Sequence, residues 1–400
     1  MEQVLNQLPK GWINVQVKDV TKSLSSGFAC NKSFETSDGY VHLRTHNIST
    51  RGCLNFDQII KVSHEKIDEK KSKIFKGEIL FNNTNSKELV GKTAYVDQDY
   101  DFAFSNHLTR IVPNDKVHSK FLVYWLVSLQ TSGYFNQICK KWIGQAGVNN
   151  TVLKGLSVPL PSKEEQRRIV EKLDALLTRI DTAIEYLQSK LDLSKQLFDS
   201  VLDEFFKLSD CDSVPLTEVV DFIGGSQPPK SQFSDVQKEG YVRLIQIRDY
   251  KTDNHIVYVD SASTKKFCTK DDVMIGRYGP PVFQILRGLN GAYNVALMKA
   301  VPNEDVLTKD YLFWFLQYPS IQNYVIGISQ RAAGQSGVNK KALEKYLIPV
   351  PCKAIQNDIV EKVGQLVNKS RNLEAKVSAE ITSLNQLKAS ILDSAFKGEL

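Results

Sequence analysis

No run of eighteen apolar residues occurs in this 400-residue chain, so no segment is expected to cross a membrane as a helix. Met1-Glu2-Gln3-Val4 does not lead from a basic stretch into an apolar one, which argues against a secretory signal. The six cysteines (Cys30, Cys53, Cys139, Cys211, Cys268 and Cys352) are scattered and form no Cys-x-x-Cys pair. Neither a zinc ribbon nor a disulfide framework is expected, and a reducing, cytoplasmic setting fits best. There is no Gly-x-x-x-x-Gly-Lys-[Ser/Thr], which excludes a P-loop ATPase, and no dinucleotide glycine fingerprint. No nucleophile–base–acid constellation with a recognisable spacing is present. Gly279-Pro280-Pro281-Val282-Phe283 resembles the Asn-Pro-Pro-aromatic motif of amino-methyltransferases, but it lacks the leading Asn or Asp, and Val282 separates the prolines from the ring. His42 and His46, with Cys53, suggest a metal pair. Positions i and i+4 of a strand lie about 13 Å apart, however, so polar side chains on an exposed strand face are the preferred reading.

What remains is an ordinary globular composition, 42% apolar and 24% charged, in a chain long enough for two or more domains. The net charge of +6 permits nucleic-acid binding without requiring it.

The dominant feature is a duplication. Gly144-Gln145-Ala146-Gly147-Val148-Asn149 recurs as Gly334-Gln335-Ser336-Gly337-Val338-Asn339. Val158-Pro159-Leu160-Pro161 recurs as Ile348-Pro349-Val350-Pro351, Gln166 as Gln356, and Ser200–Lys207 as Ser390–Lys397. One offset of 190 residues aligns these stretches without a gap, with about a third of the positions identical. Single-residue bias or helical periodicity would not also match the Gly, Pro and Asn positions.

Residues 9–143 read as mixed and mostly strand. Gly39–Ile48 alternates, with Val41, Leu43 and Thr45 on one face and His42, Arg44 and His46 on the other. Glu78–Phe81 is a strand entering a polar loop, Asn82–Ser86, and Phe121–Leu126 is a buried helix. Residues 214–333 follow the same order: Gly240–Arg248 answers the first strand, Asp272–Ile275 the second, and Trp314 answers Trp125. The loops differ almost completely, and Arg277-Tyr278-Gly279-Pro280-Pro281 stands where the first copy has its Asn-rich loop. A shared scaffold with unrelated loops is what two reading heads with different targets require.

Two long helices close the two halves. Ser162 and Glu165 form a capping box for the first. Its seam is Ile169, Leu173, Leu176, Ile180, Ile184, Leu187 and Leu191, then Phe198, Val201 and Phe205, with one stutter near Ile180. The second seam is Ile359, Val363, Leu366, Leu373, Val377, Ile381, Leu384, Ile391 and Ala395. Some 40 residues of helix span roughly 60 Å. Seams this narrow cannot anchor a globular core, so the two helices are expected to pack antiparallel on each other between two globular domains.

Polar residues on the matching strands and loops are the candidates for contacting DNA. They are Arg44, His46, Asn47, Asn82, Asn83, Asn85 and Lys92 in the first copy, and Arg243, Gln246, Arg248, Arg277 and Tyr278 in the second. Arg, Asn and Gln can pair with base edges, while Lys mostly meets phosphate.

With these features assembled, the chain resembles the specificity subunits of type I restriction–modification systems, over essentially its whole length. The opening Leu8-Pro9-Lys10-Gly11-Trp12, the strand Gly77–Leu80, the run from Val158 through Val170 and the ending Ser390–Leu400 carry the resemblance. The second copy departs at Ala354-Ile355, where the first has Glu164-Glu165. The resemblance implies an α+β fold with a pseudo-two-fold internal repeat. Target recognition domains would occupy 1–157 and 214–347, with conserved helix regions at 158–213 and 348–400 forming an antiparallel coiled coil. It implies double-stranded DNA as ligand, with one half of a bipartite, asymmetric target per domain and the helix pair as a ruler for the spacer. It further implies two modification (methyltransferase) subunits as partners, with restriction (motor and nuclease) subunits in the full complex. No cofactor or active site is then expected in this chain; S-adenosylmethionine, ATP and Mg are expected on the partners. A single-chain restriction or methylation enzyme, a purely structural coiled-coil scaffold, or a DNA-binding or scaffold subunit of another multi-subunit defence complex are the alternatives.

Overall fold

The computed structural model describes residues 8–142, 144–207, 211–279, 281–329 and 337–400; Pro280 and the repeat residues Gly334, Gln335 and Ser336 lie outside these. The chain forms two compact units. One comprises residues 1–188 with 378–400, the other residues 189–377.

Each unit is built on a four-stranded antiparallel sheet of the same order. In the first, Thr21–Ser26, Leu108–Pro113, Ile79–Asn82 and Thr93–Tyr95 are neighbours in that sequence. In the second the order is Val220–Gly224, Leu297–Pro302, Val273–Gly276 and Gln284–Leu286. The central strands Ile79–Asn82 and Val273–Gly276 are buried along their whole length. Ile79 and Phe81 enter a core with the helix Ser119–Thr131, while Leu80 enters a separate core with Leu43, Ile48 and Phe104. Val273 and Ile275 likewise face one core and Met274 another. A strand covered on both faces reads as a continuous apolar run rather than an alternation.

A smaller sheet covers the far face. In each copy it holds a parallel pair, Glu35–Leu43 with Ala103–Phe104 and Tyr241–Ile245 with Gly291–Tyr293. Here the alternation over Gly39–Ile48 fails. The strand ends at Leu43, and Thr45–Asn47 forms a 3-10 turn. His42 does not project into solvent: it is 0% exposed, its ring edge-on to Phe28 with Nε2 3.2 Å from Phe28 O. Burial and the nearby Arg44 guanidinium lower the His42 pKa from 6.5 to about 4.

The long helices span Lys163–Phe206 and Lys353–Phe396. Ser162 Oγ accepts from the Glu165 amide at 3.3 Å, but the Glu165 carboxylate turns to Arg168 (2.6 and 2.7 Å) rather than back to the cap, so half of the expected box forms. Gln166 anchors the helix start. Its Nε2 donates to Lys116 O (3.2 Å) and Pro161 O (3.0 Å), and its Oε1 accepts from His118 N (2.7 Å). Gln356 repeats all three bonds, to Val306 O (2.7 Å) and Pro351 O (2.8 Å) and from Thr308 N (2.9 Å).

The first seam corrects the sequence reading at three positions: Leu202 and Phe206 are buried and the expected Val201 and Phe205 only half-buried, and the same shift occurs one helical stretch earlier. Leu177 is buried and Leu176 only half-buried. Ile169, Leu173, Ile180, Ile184 and Leu187 are buried and Leu191 is half-buried. With Leu177 the spacing from Leu173 to Leu187 becomes an unbroken 4-3-4-3, and the stutter moves from Ile180 to Leu173. In the second helix Ile359, Val363 and Val377 are buried, and Leu366, Leu373 and Ile381 are half-buried.

Within the first unit the helix segments run antiparallel. Arg168 Nη2 meets Leu400 O at 2.6 Å, and Asp181 Oδ1 meets Lys388 Nζ at 2.8 Å. In the second unit Phe198, Leu202 and Phe206 share a core with Ile359, Val363 and Val367. Shifting the pair Asp181–Lys388 by the repeat offset gives Arg371 and Phe198, and these two line one cavity of about 360 Å³ in the second unit. The two positions are thus near each other in both units.

Candidate nucleic-acid interface

The loop that differs most between the copies is fixed by the contacts that differ least. In the first unit it leaves the strand Ile79–Asn82 and returns as Thr93–Tyr95; in the second it leaves Val273–Gly276 and returns as Gln284–Leu286. The outgoing side is tied to the repeated Gly-Val-Asn phrase. Val148 N donates to Asn83 O (2.8 Å), and Val338 N donates to Arg277 O (3.0 Å). Thr84 pairs with Gly147 as Tyr278 pairs with Gly337. Asn149 and Asn339 then cap the following short helices, each accepting a backbone N–H on its side-chain oxygen.

The returning side matches as well. Gly91 N donates to Asn82 O (2.9 Å), and Phe283 N donates to Gly276 O (3.0 Å). Gly91 has φ +91°, and Phe283, at the equivalent place, has φ +63°. The turn demands a left-handed residue, and the second copy supplies it with a phenylalanine at a cost of about 1–2 kcal/mol. The reason is packing. A Cβ on Gly91 would lie 2.2 Å from the Phe135 ring, whereas Phe283 is itself buried in the core, and Val325 takes the place of Phe135 by the repeat offset. One aromatic ring fills the site in either copy.

The side chains displayed on these shared hairpins are unrelated. In the first unit Thr84 and Asn85 are half-buried, and Lys140, Lys141 and Gln145 of the adjoining strands are exposed. Ser26, Asn83, Thr84, Lys140, Asn149 and Asn150 contribute to a polar cavity of about 560 Å³ beside them. In the second unit Arg277 is half-buried and its guanidinium lies 5.2 Å from the Tyr278 ring centroid. Arg277 Nη1 donates to Val295 O at 3.3 Å, and Tyr278 is 37% exposed.

Several candidates chosen for their polarity are occupied inside the protein. Asn47 is buried; its Oδ1 accepts from Arg44 N and its Nδ2 donates to Asn55 O and Gln58 O. Asp249 is its counterpart, accepting from Gln246 N at 3.0 Å. Asn82 is fully buried. Asn83 donates to Asn106 O and Thr109 Oγ1. Lys92 is buried, donating to Thr45 O and Ile48 O, and burial lowers its pKa. Arg44 is half-buried between Cys30 O and Glu35. Arg243 is held by Asp253 at 2.8 Å. Apart from Asn82, which is buried with neither side-chain polar atom hydrogen-bonded among the described residues, these side chains are engaged within the heads. His46 and Arg248 are exposed and Gln246 is half-buried. Lys140, Lys141 and Gln145, exposed beside the first hairpin, are not among the candidates chosen from sequence; the repeat phrase next to them marks this loop, since a matched turn in both copies fixes it.

Two copies of one hairpin, held by the same bonds and tipped with different chemistry, define a protein with two recognition heads. The family model described as Type I restriction modification DNA specificity domain matches residues 9–189 and again 209–383, and the chain belongs to that family. It is similar to the EcoKI specificity subunit of Escherichia coli K12, 25% identical over 98% of this chain and 90% of that one. It is also similar to the putative MjaX specificity subunit of Methanocaldococcus jannaschii, 26% identical over 90% and 87%. Among solved structures, one concerned with complex assembly and conformational transition of the type I R-M system aligns with a TM-score of 0.73, at 23% identity over 98% of this chain and 100% of that chain. The HsdS subunit from Thermoanaerobacter tengcongensis aligns with a TM-score of 0.50, at 22% identity over 100% of both chains. Among the described residues no helix is long and apolar enough to cross a membrane.

Proposed function

We propose that this chain is the DNA-reading subunit of a type I restriction–modification complex. Each recognition domain reads one half of a bipartite, asymmetric target. The two long helices form the ruler that sets the spacer and seat two modification subunits, and restriction subunits join for cleavage. The chain itself is non-catalytic and works in the cytoplasm. S-adenosylmethionine sits on the modification subunits, and ATP and Mg on the motor and nuclease partners.

The observation that carries this reading is the pair of equivalent hairpins. Their scaffold agrees bond for bond, at Val148–Asn83 and Val338–Arg277, while the displayed residues differ. Two like heads on one chain give two DNA contacts, and unlike tips make the two half-sites different. The test is to replace residues 9–157 with the corresponding part of a relative and map adenine methylation in cells that also hold the modification subunit. One half of the target is expected to change. A change in both halves would sink the two-head reading.

A further inference from the structure

The globular parts contain six described arginines besides Arg277, and each has a carboxylate within 4.0 Å. Arg44 meets Glu35, Arg51 meets Glu185, Arg110 meets Glu78, Arg243 and Arg248 meet Asp249, and Arg287 meets Asp310. Arg277 has no such partner among the described residues. Among the described residues its side chain makes one hydrogen bond, to the backbone carbonyl Val295 O, and its guanidinium is steadied by the Tyr278 ring. An arginine held by one nitrogen and a ring face still has donors free, and its orientation is already restricted before any ligand arrives.

Its position adds a second, independent argument. Arg277 opens the hairpin that Phe283 closes in a left-handed conformation, and Phe283 is the only described non-glycine residue with positive φ. Backbone strain of this kind persists where the surrounding structure enforces a particular loop shape. Arg277 also stands where the first unit has Asn83, whose side chain is spent inside the head. The same scaffold position thus carries a satisfied amide in one unit and an uncommitted guanidinium in the other.

We propose that Arg277 is a specificity-determining residue of the second recognition head, donating two hydrogen bonds to the O6 and N7 edge of a guanine in its half-site, with Tyr278 as its orienting platform. Guanine is the base whose major-groove edge offers two adjacent acceptors to a forked donor. The inference rests on the DNA-reading function proposed above.

The test uses the full chain with its modification subunit and maps adenine methylation at base resolution for the natural protein, Arg277→Lys and Arg277→Gln. The natural protein is expected to require a guanine at one position of one half-site. Arg277→Gln relaxes that position, lowering the preference for guanine about 10- to 100-fold, and leaves the other half-site and the spacer unchanged. Arg277→Lys retains the charge but loses the fork, so it relaxes the same position less. An unchanged motif in both variants overturns the proposal. So does a uniform loss of methylation at all sites with the thermal midpoint of the complex unchanged, because that marks a phosphate contact. If a variant lowers the midpoint, the conservative Tyr278→Phe, which keeps the platform, must leave the motif as it is; a motif altered by it would equally overturn the role given to Arg277. If the natural protein directs no methylation at all, the proposed function fails rather than this assignment.

Discussion

Exchanging the aromatic ring between the two sides of the first hairpin tests whether the two heads share one scaffold. In the second unit the left-handed residue is Phe283 and its facing helix offers Val325; in the first it is Gly91 facing Phe135. Gly91→Phe alone puts a Cβ 2.2 Å from the Phe135 ring at φ +91°. The backbone term is about 1–2 kcal/mol and the overpacking about 1–3 kcal/mol, so the variant loses roughly 2–5 kcal/mol. Phe135→Val alone empties a buried site and costs about 2–3 kcal/mol. Combined, the substitutions move the ring into the arrangement of the second unit, and the cost falls to about 1–2 kcal/mol, chiefly the left-handed phenylalanine. The coupling between the sites is therefore about 2 kcal/mol or more in favour of the pair. Urea unfolding followed by tryptophan fluorescence in a Trp314→Phe background measures it, since Trp12, Trp125 and Trp142 all belong to the first unit. Costs that add within about 0.5 kcal/mol would refute the equivalence of Gly91 and Phe283.

Three further outcomes follow from the same structure. His42 has a pKa lowered to about 4, so the unfolded chain takes up a proton first as pH falls. Its contribution is complete above pH 6.5 and disappears by pH 4, worth on the order of 3 kcal/mol in the first unit; His42→Phe should flatten that part of the stability–pH curve, and an unchanged slope would contradict it. Lys388 is nearly buried against Asp181, so Asp181→Asn should cost about 2 kcal/mol by stranding the ammonium, whereas Lys388→Met should cost less than about 1 kcal/mol because an apolar chain suits the seam; equal costs would argue that the pair does not act through desolvation. Inserting four residues into each long helix should lengthen the unspecified spacer of the methylated motif or abolish assembly, and an unchanged spacer in an intact complex would count against the ruler.

The scaffold was legible where chemistry repeats. The duplicated Gly-Val-Asn phrase, the two proline-flanked helix starts and much of each seam carry over from sequence to structure, because turns, caps and 3.5-residue periods depend on local residues. The Leu176 phase error shows the limit: two adjacent leucines satisfy the pattern equally, and only packing chooses Leu177. The recognition residues were less legible. Polarity suggests exposure, but Asn47 and Lys92 hold backbone carbonyls of neighbouring turns, Asn83 ties Asn106 O and Thr109 Oγ1, and Asn82 lies within the fully covered strand. The groups that Asn47, Lys92 and Asn83 satisfy are distant in sequence or fixed by loop shape, so nothing local reveals that these three are already committed. His42 illustrates the same point at the end of its strand, where the adjacent His42 and Leu43 are both buried and alternation no longer separates inside from outside. Arg277 stood out only once the carboxylate partners of the other arginines were placed.

The most direct test is base-resolution methylation mapping in cells expressing this chain with its modification subunit, against cells with the modification subunit alone. The account predicts a new adenine-methylated motif in two unlike parts separated by a fixed gap. Methylation without this chain, or a motif that is single and continuous, would contradict a two-headed DNA-reading subunit.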